Sequence, residues 1–488
     1  MQLVLVSGKR RLLANSERDL SMANIYIETF GCQMNEADSQ YIARRALGAG
    51  YTFVSAAEQA DVLVLNTCTV RDNAERRAYG RMNHFKLLKD GDPAVKLVVT
   101  GCLAEQDRDR MQKRVPHIDA IFGTGELVRL GDALTAWRPD FVDDEVSEDR
   151  GLLVPMGGQA DCITDAFSHL RAFVTVQRGC SYYCTFCIVP HVRGRFDHRP
   201  AGEILEEVRQ KVAAGAREVM LVGQTVNAYK DAVAGIDFGD LCRQVATLPG
   251  LEALSFISPH PKDFTEKIVA DLAGIPVMNA RVHLPLQSAS DTLLRRMNRK
   301  YSIEQYDAVA ELFKRYVPHW SITTDLIVGF PGETEADFEK TLAYVGRGVF
   351  WQAFMFVYSP RRGTPAAKWE QVPAHVAGAR FARLTEVQNG VIRAFHDTLV
   401  GSTVRGLIVG PSKKDPGKLA LKTSQNVTLI APKPDDYAEE LYAREPWLDV
   451  TIHTAHVWGC SGSIVSRAGS RSQNGKLVLP PTLDLLAL

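Results

Sequence analysis

From Ile25 onward, short apolar runs rich in β-branched residues alternate with polar stretches whose apolar positions recur at helical spacing. The first three runs are Ile25 to Cys32, Asp61 to Cys68 and Lys96 to Cys102, and each ends in a small or polar residue followed by cysteine. The interval between them has the length of one strand-helix-strand crossover, and such units build a parallel sheet. A fourth run, Ile118 to Gly123, and a closing helix, Leu127 to Leu134, complete this layer. From Arg171 to Leu399 the alternation resumes. Strands are predicted over Ala172 to Arg178, Arg217 to Gln224, Ala253 to His260, Ala280 to Gln287, Ser321 to Phe330 and Gln352 to Ser359. Amphipathic helices are predicted over Ala201 to Ala214, Tyr301 to Tyr316 and Glu335 to Val345. Six repeats predict a curled parallel sheet, a partial (β/α)6 barrel short of the closed eight-unit form. After residue 400 the pattern changes to β-like runs, Thr403 to Val409, Lys418 to Lys422, Val427 to Ile430 and Leu448 to Thr454, parted by Gly, Pro and Lys turns. A small five-stranded β-barrel fits that spacing.

The fold class is therefore α/β with a small C-terminal β domain. The domains are an extension over 1–22 expected to be disordered, an α/β domain over 23–140, an acidic linker over 141–170, the partial barrel over 171–399, the β domain over 400–466 and a Ser/Gly-rich tail over 467–488. Met22 directly precedes the first strand and reads as the functional start.

Composition changes this picture little. The chain has 488 residues, 45% hydrophobic and 23% charged, with 57 basic side chains against 57 acidic ones. Net charge thus gives no sign of nucleic-acid binding, and any basic surface must be local. Lys413, Lys414, Lys418, Lys422 and Arg405 are candidates for such a surface on the C-terminal domain, with an ordinary solvated face as the alternative. No apolar run is long enough to span a bilayer and the N-terminus has no signal-peptide core, so a cytoplasmic protein without membrane contact is expected.

The nine cysteines read as reduced thiols or metal ligands. Cys162, Cys242 and Cys460 stand alone and read as ordinary small hydrophobic or surface thiols. The others form two trios. Cys32, Cys68 and Cys102 each follow a strand, at the edge where ligands of open α/β sheets collect. Gly31 and Gly101 are expected to let backbone approach a bulky cluster there. Cys180, Cys184 and Cys187 lie within one octet just after the first barrel strand. Three thiolates without a near fourth suit an iron-sulfur cube with one open iron; with His191 they could also form a closed Cys3His zinc site. Polar residues at the other strand ends, Gly223 and Gln224, His283 with Gln287, and Asp325 with Gly329, would suit a polar cofactor at the barrel mouth. Gly329 to Thr334 lacks the lysine and spacing of a phosphate loop.

The octet Cys180-Ser-Tyr-Tyr-Cys184-Thr-Phe-Cys187 resembles the signature of radical S-adenosylmethionine (SAM) enzymes. Together with Glu28 to Asn35, Asn66 to Arg71 and Gly101 to Glu105 it resembles the methylthiotransferases from about Asn24 to Val465. Gly223 to Tyr229 and Arg362 to Ala367 are most similar to the tRNA-modifying, MiaB-type members. The resemblance implies two [4Fe-4S] clusters, one on Cys180, Cys184 and Cys187 that cleaves SAM, and one on Cys32, Cys68 and Cys102 where sulfur is carried and methylated. It implies SAM as both radical source and methyl donor, contacted by Gly223, Gln224, His283, Gln287, Asp325 and Gly329. The implied reaction puts a methylthio group on C2 of an N6-isopentenyladenosine in a tRNA anticodon stem-loop. The implied partners are a flavodoxin- or ferredoxin-type electron donor and a cluster or sulfur supply protein, with the enzyme itself a monomer. The C-terminal domain would be a TRAM domain, in which Lys422 stands where relatives tend to carry arginine. A RimO-type enzyme acting on an aspartate of a ribosomal protein, and a non-enzymatic metal- or RNA-binding protein, remain the alternatives.

Overall fold

The structure, a computed structural model, describes residues 23–69, 72–138, 170–435 and 437–467. The N-terminal extension, most of the linker and the C-terminal tail lie outside these residues.

The N-terminal domain is a five-stranded, all-parallel sheet in the order Thr52–Phe53, Asn24–Thr29, Val62–Thr67, Lys96–Gly101, Ala120–Phe122. Its central strand is buried along its whole length, which is why Val62 to Leu65 read as a continuous apolar run. The helices Gln33–Gly48 and Leu127–Ala136 cover one face and Asp72–Gly91 with Cys102–Arg114 the other. Thr67 lies opposite Gly101 in the register, so Cys68 and Cys102 leave neighbouring strands side by side. The order reverses between Asn24–Thr29 and Val62–Thr67, and the cysteines that follow these two strands flank that switch point, where doubly wound sheets bind ligands.

The central domain has six parallel strands in two sheets of three: Arg171–Thr175, Glu218–Val222 and Ala253–Phe256, then Arg281–His283, Ser321–Val328 and Gln352–Val357. A parallel bridge from Leu254 to Met278 carries one sheet into the next, giving the predicted open barrel. The predicted helix from Tyr301 begins two residues later, at Ile303. Ser302 caps it, accepting from Gln305 N–H while the Gln305 side chain accepts from Ser302 N–H.

The C-terminal domain is a closed barrel of Thr403–Ser412, Asp415–Thr423, Thr428–Pro432, Gly459–Arg467 and Trp447–His456, in that order around the barrel. It packs on the end of the partial barrel where the strands begin. Trp447 packs with Ala253 and donates Nε1–H to Glu252 at 2.6 Å, Ser321 Oγ donates to Gln425 O at 3.1 Å, and Leu170 and Trp351 join the buried cluster of the barrel. The cysteine octet and the N-terminal domain therefore occupy the opposite end.

This placement corrects part of the expected basic surface. Lys422 is half-buried at the joint, bonded to Asn426 O and Thr428 Oγ1, and burial together with Arg281 and Arg171 lowers its pKa to about 8. Arg405 is paired twice with Asp449 and Lys418 with Asp415. Lys413 and Lys414 remain exposed, the latter over the ring of Trp458. Cys242 and Cys460 are fully buried, the hydrophobic of the two expected placements, and Cys162 lies outside the described residues.

Candidate active site

The octet is held from several directions. Gly179, at φ +70°, turns the chain directly against Arg195 O, where any Cβ would clash, and Cys180 N–H donates to Gly194 O at 3.0 Å. Thr185 N–H donates to Met297 O at 3.1 Å, and Asn298 Nδ2 donates to Tyr182 O and Tyr183 O. Tyr182 stacks on the buried His260 ring at 4.4 Å and donates its hydroxyl to Asp263. The Gln177 side chain accepts from the N–H groups of Gln224 and Thr225, and Thr225 Oγ1 lies 3.4 Å from Cys180 Sγ. Gln224 is thus fixed beside Cys180 by its backbone, while its side-chain Oε1 is buried without a protein partner. A bound group with a hydrogen to donate would satisfy this oxygen.

The remaining candidate residues cluster on the second sheet. His283 Nε2 lies 3.2 Å from Asp325 Oδ2, and its Nδ1 lies 3.0 Å from Thr323 Oγ1. Gln287, at φ +70°, donates its N–H to Asp325 O at 2.8 Å. Gly329, at φ +72°, faces Ala377 Cβ at a distance that leaves no room for a side chain. Its N–H donates to Glu333, whose carboxylate also receives Arg380 Nη1 at 2.9 Å. The Gly329 to Glu333 segment is therefore shaped by a buried ion pair. Removing one partner strands the other charge, so Arg380→Ala is expected to destabilise the fold by about 3 kcal/mol, measured as a lowered denaturation midpoint with an unchanged slope. A shift below about 0.5 kcal/mol would show that the pair does not hold this loop.

The first trio sits at the ends of the N-terminal strands. Cys32 occupies the N-cap of the helix Gln33–Gly48 and is exposed, with Sγ 3.6 Å from Asn35 Oδ1; Cys68 and Cys102 are buried. Asn35 and Asn66 exchange bonds across the gap and are fully buried, fixing the Cys32 turn to the next strand. Gly31 and Gly101 make this packing possible. A Cβ at Gly31 would overlap the Asn35 side chain and one at Gly101 would overlap Thr67 O, so the close approach they allow is to protein atoms at the strand ends.

The segments that carry the two trios are joined by a buried link. Asp38, six positions after Cys32, accepts from Arg178 at 3.0 Å and from Arg193 at 2.9 Å. Arg193, six positions after Cys187, donates Nε–H to Cys102 Sγ at 3.2 Å. Arg362 pairs with Asp107 across the same seam. Thr225, Asp38, Arg193 and Arg299, which donates Nη1–H to Cys184 Sγ at 3.3 Å, were not among the expected site residues. For Thr225 the signal was its place in the Gly223 to Tyr229 motif; for the arginines sequence offers none.

The donor sets fit iron-sulfur clusters better than a single ion. Among the described residues neither trio gathers its three sulfurs within 4.8 Å of one another. A tetrahedral zinc, with Zn–S of about 2.3 Å, needs them closer than that. His191 is exposed against the Tyr183 ring, away from a closed Cys3His arrangement. Burial raises the Cys180 and Cys102 thiols and pushes Cys187 up to about 12. Metal binding, which needs thiolates, must therefore displace these protons.

The open barrel and its cysteine loop define the radical SAM class. The Radical SAM superfamily model matches residues 174–345, and the model described as Uncharacterized protein family UPF0004 matches residues 24–123. Relatives include the tRNA-2-methylthio-N(6)-dimethylallyladenosine synthase of Moorella thermoacetica, 38% identical over 90% of this chain and 98% of the relative. That of Syntrophotalea carbinolica is 38% identical over 83% of this chain and 92% of the relative. The chain belongs to this family, the MiaB-type radical SAM methylthiotransferases, and uses SAM and an iron-sulfur cluster. In fold it is similar to the radical SAM methyltransferase TsrM from Kitasatospora setae, solved with cobalamin and a [4Fe-4S] cluster. That match has a TM-score of 0.51 and 13% identity, covering 71% of this chain and 77% of the other. Among the described residues no helix is long and apolar enough to cross a membrane.

Proposed function

We propose that this chain is a tRNA-2-methylthio-N6-dimethylallyladenosine synthase with two [4Fe-4S] clusters, one on Cys180, Cys184 and Cys187 and one on Cys32, Cys68 and Cys102. When bound, SAM and the first cluster supply the radical that activates C2 of the isopentenylated adenine, and the second cluster supplies the sulfur that replaces its hydrogen. Replacing an aromatic hydrogen by sulfur requires both centres near one carbon. The observation that carries the proposal is the Asp38–Arg193–Cys102 link, in which a residue of the SAM-type loop reaches a thiol of the other trio.

Gly223, Gln224, His283, Gln287, Asp325 and Gly329 would hold SAM at the strand ends, with the unpartnered Gln224 oxygen accepting from it. His283 and Asp325 orient one another, and the half-exposed Phe354 ring lies 5.8 Å from His283, offering an aromatic face at the mouth. An anticodon-loop base is accessible to such a site because it can be splayed out at lower cost than a duplex base. The reaction needs an electron donor of flavodoxin or ferredoxin type. Because sulfur leaves with the product, it also needs a protein that restores the sulfur or the cluster.

Nucleoside mass spectrometry on tRNA from a deletion strain tests this. The expected result is loss of the methylthio mark with isopentenyladenosine retained. Unchanged tRNA nucleosides together with an unmodified ribosomal-protein aspartate would transfer the activity to the RimO-type substrate.

A further inference from the structure

In each trio a sulfur accepts a hydrogen bond from a buried guanidinium, Arg193 on Cys102 and Arg299 on Cys184, and the two guanidiniums differ in their counter-charge. Arg193 donates to Cys102 Sγ and, through Nη2, to the Asp38 carboxylate at 2.9 Å, so a counter-charge touches it directly, although Asp38 is shared with the more exposed Arg178. Arg299 donates to Cys184 Sγ, and its other bonds go to uncharged oxygens, Nε to the Tyr301 hydroxyl at 3.1 Å and Nη2 to Pro285 O at 3.4 Å. Among the described residues Arg299 makes no ion pair within 4.0 Å; its charge partners are Tyr301 and Cys184, and the nearest acidic influence is Asp325 acting on the Tyr301 hydroxyl. Its remaining neighbours do not neutralise it. The Tyr301 ring stands 5.2 Å away, and the buried His260, beside Arg299 and Lys262, is held uncharged, its pKa lowered to about 2 chiefly by burial. A buried cation without a counter-ion is costly, and it is retained where negative charge belongs beside it.

We propose that Arg299 raises the reduction potential of the centre held by Cys180, Cys184 and Cys187, by setting one positive charge without a carboxylate in contact and one N–H···S bond on Cys184, whereas at Cys102 the Asp38 carboxylate, shared with Arg178, offsets part of the corresponding charge. The inference rests on the reading that both trios hold clusters. One-electron reduction adds a negative charge to a cluster, so an adjacent cation and a donor to the ligand sulfur both favour the reduced form. The SAM-cleaving centre is the one that must accept an electron in each turnover, and it has the arginine without a carboxylate in contact. Arg299 acts through Cys184 and is thus a positioning residue.

The test is an anaerobic potentiometric titration of the reconstituted full chain, without SAM, read by electron paramagnetic resonance. The two signals are assigned with Cys32→Ala and Cys184→Ala. Arg299→Met is expected to lower the reduced-to-oxidised ratio of the barrel centre at least tenfold at fixed poise, about 59 mV for one electron, and to leave the other centre unmoved. Arg299→Lys, which keeps the charge, is expected to restore most of that shift. Asp38→Asn is expected to raise the ratio at the Cys102 centre. Both cubes present with an unmoved barrel potential in Arg299→Met overturns the inference. If Arg299→Met fails to hold its cube, a wild-type potential in Arg299→Lys supports the charge and a lowered one overturns it. Wild-type protein with about four irons per chain in place of about eight would instead remove the two-cluster reading, leaving the Arg299 titration to be judged on the barrel centre alone.

Discussion

Replacing Cys184 by alanine is expected to abolish both release of 5′-deoxyadenosine from SAM and formation of the methylthio nucleoside, each by at least about 100-fold. That bound is conservative, since loss of groups that only support a metal ligand already costs roughly 10- to 100-fold. Cys184 is buried, receives Arg299 on its sulfur, and accepts at its carbonyl the N–H of Cys187, so it organises the loop as well as the metal. Both products should fall together because methylthio transfer depends on the radical. Single-turnover assays with reduced enzyme measure both in one reaction. Undiminished deoxyadenosine from Cys184→Ala would remove this trio from SAM cleavage.

Cys32→Ala is expected to separate the two products. Deoxyadenosine release should stay within about twofold of wild type, while methylthio transfer falls by at least about 100-fold and iron drops from about eight to about four per chain. The separation is clean because Cys32 is the exposed member of its trio. It sits at a helix N-cap without a cap hydrogen bond from its side chain, so truncating it should change stability by less than about 0.5 kcal/mol. Cys68 and Cys102 are poorer choices, since both are buried and their removal would leave cavities. Equal loss of both products in Cys32→Ala, with iron retained, would give the first trio a role in folding and none in sulfur transfer.

Much of the architecture was legible in the chain. The barrel strands fall where the apolar runs were, because parallel strands covered on both faces read as continuous β-branched segments. The last strand, Gly459–Arg467, escaped notice. It begins Gly-Cys-Ser-Gly-Ser, weak in β propensity, and is recruited by its neighbours on both sides. Its Gly462 lies where a Cβ would overlap Thr451 O, so the residue that hid the strand also permits it.

The sequence alone determined the ligand chemistry and its local spacing: three thiols in one octet, three more each closing a strand, and the β-α period that sends those three to one edge. These are legible because neighbouring residues set them. The tertiary structure alone decided that Arg193 serves the other domain's Cys102, that Arg299 meets Cys184 without an ion pair among the described residues, and that Lys422 is half-buried in a domain joint. Each of these depends on which side chains a buried seam brings within hydrogen-bond reach. The partners are more than 90 positions apart in the chain for Arg193 and Cys102, a separation at which local periodicity carries no information about contact.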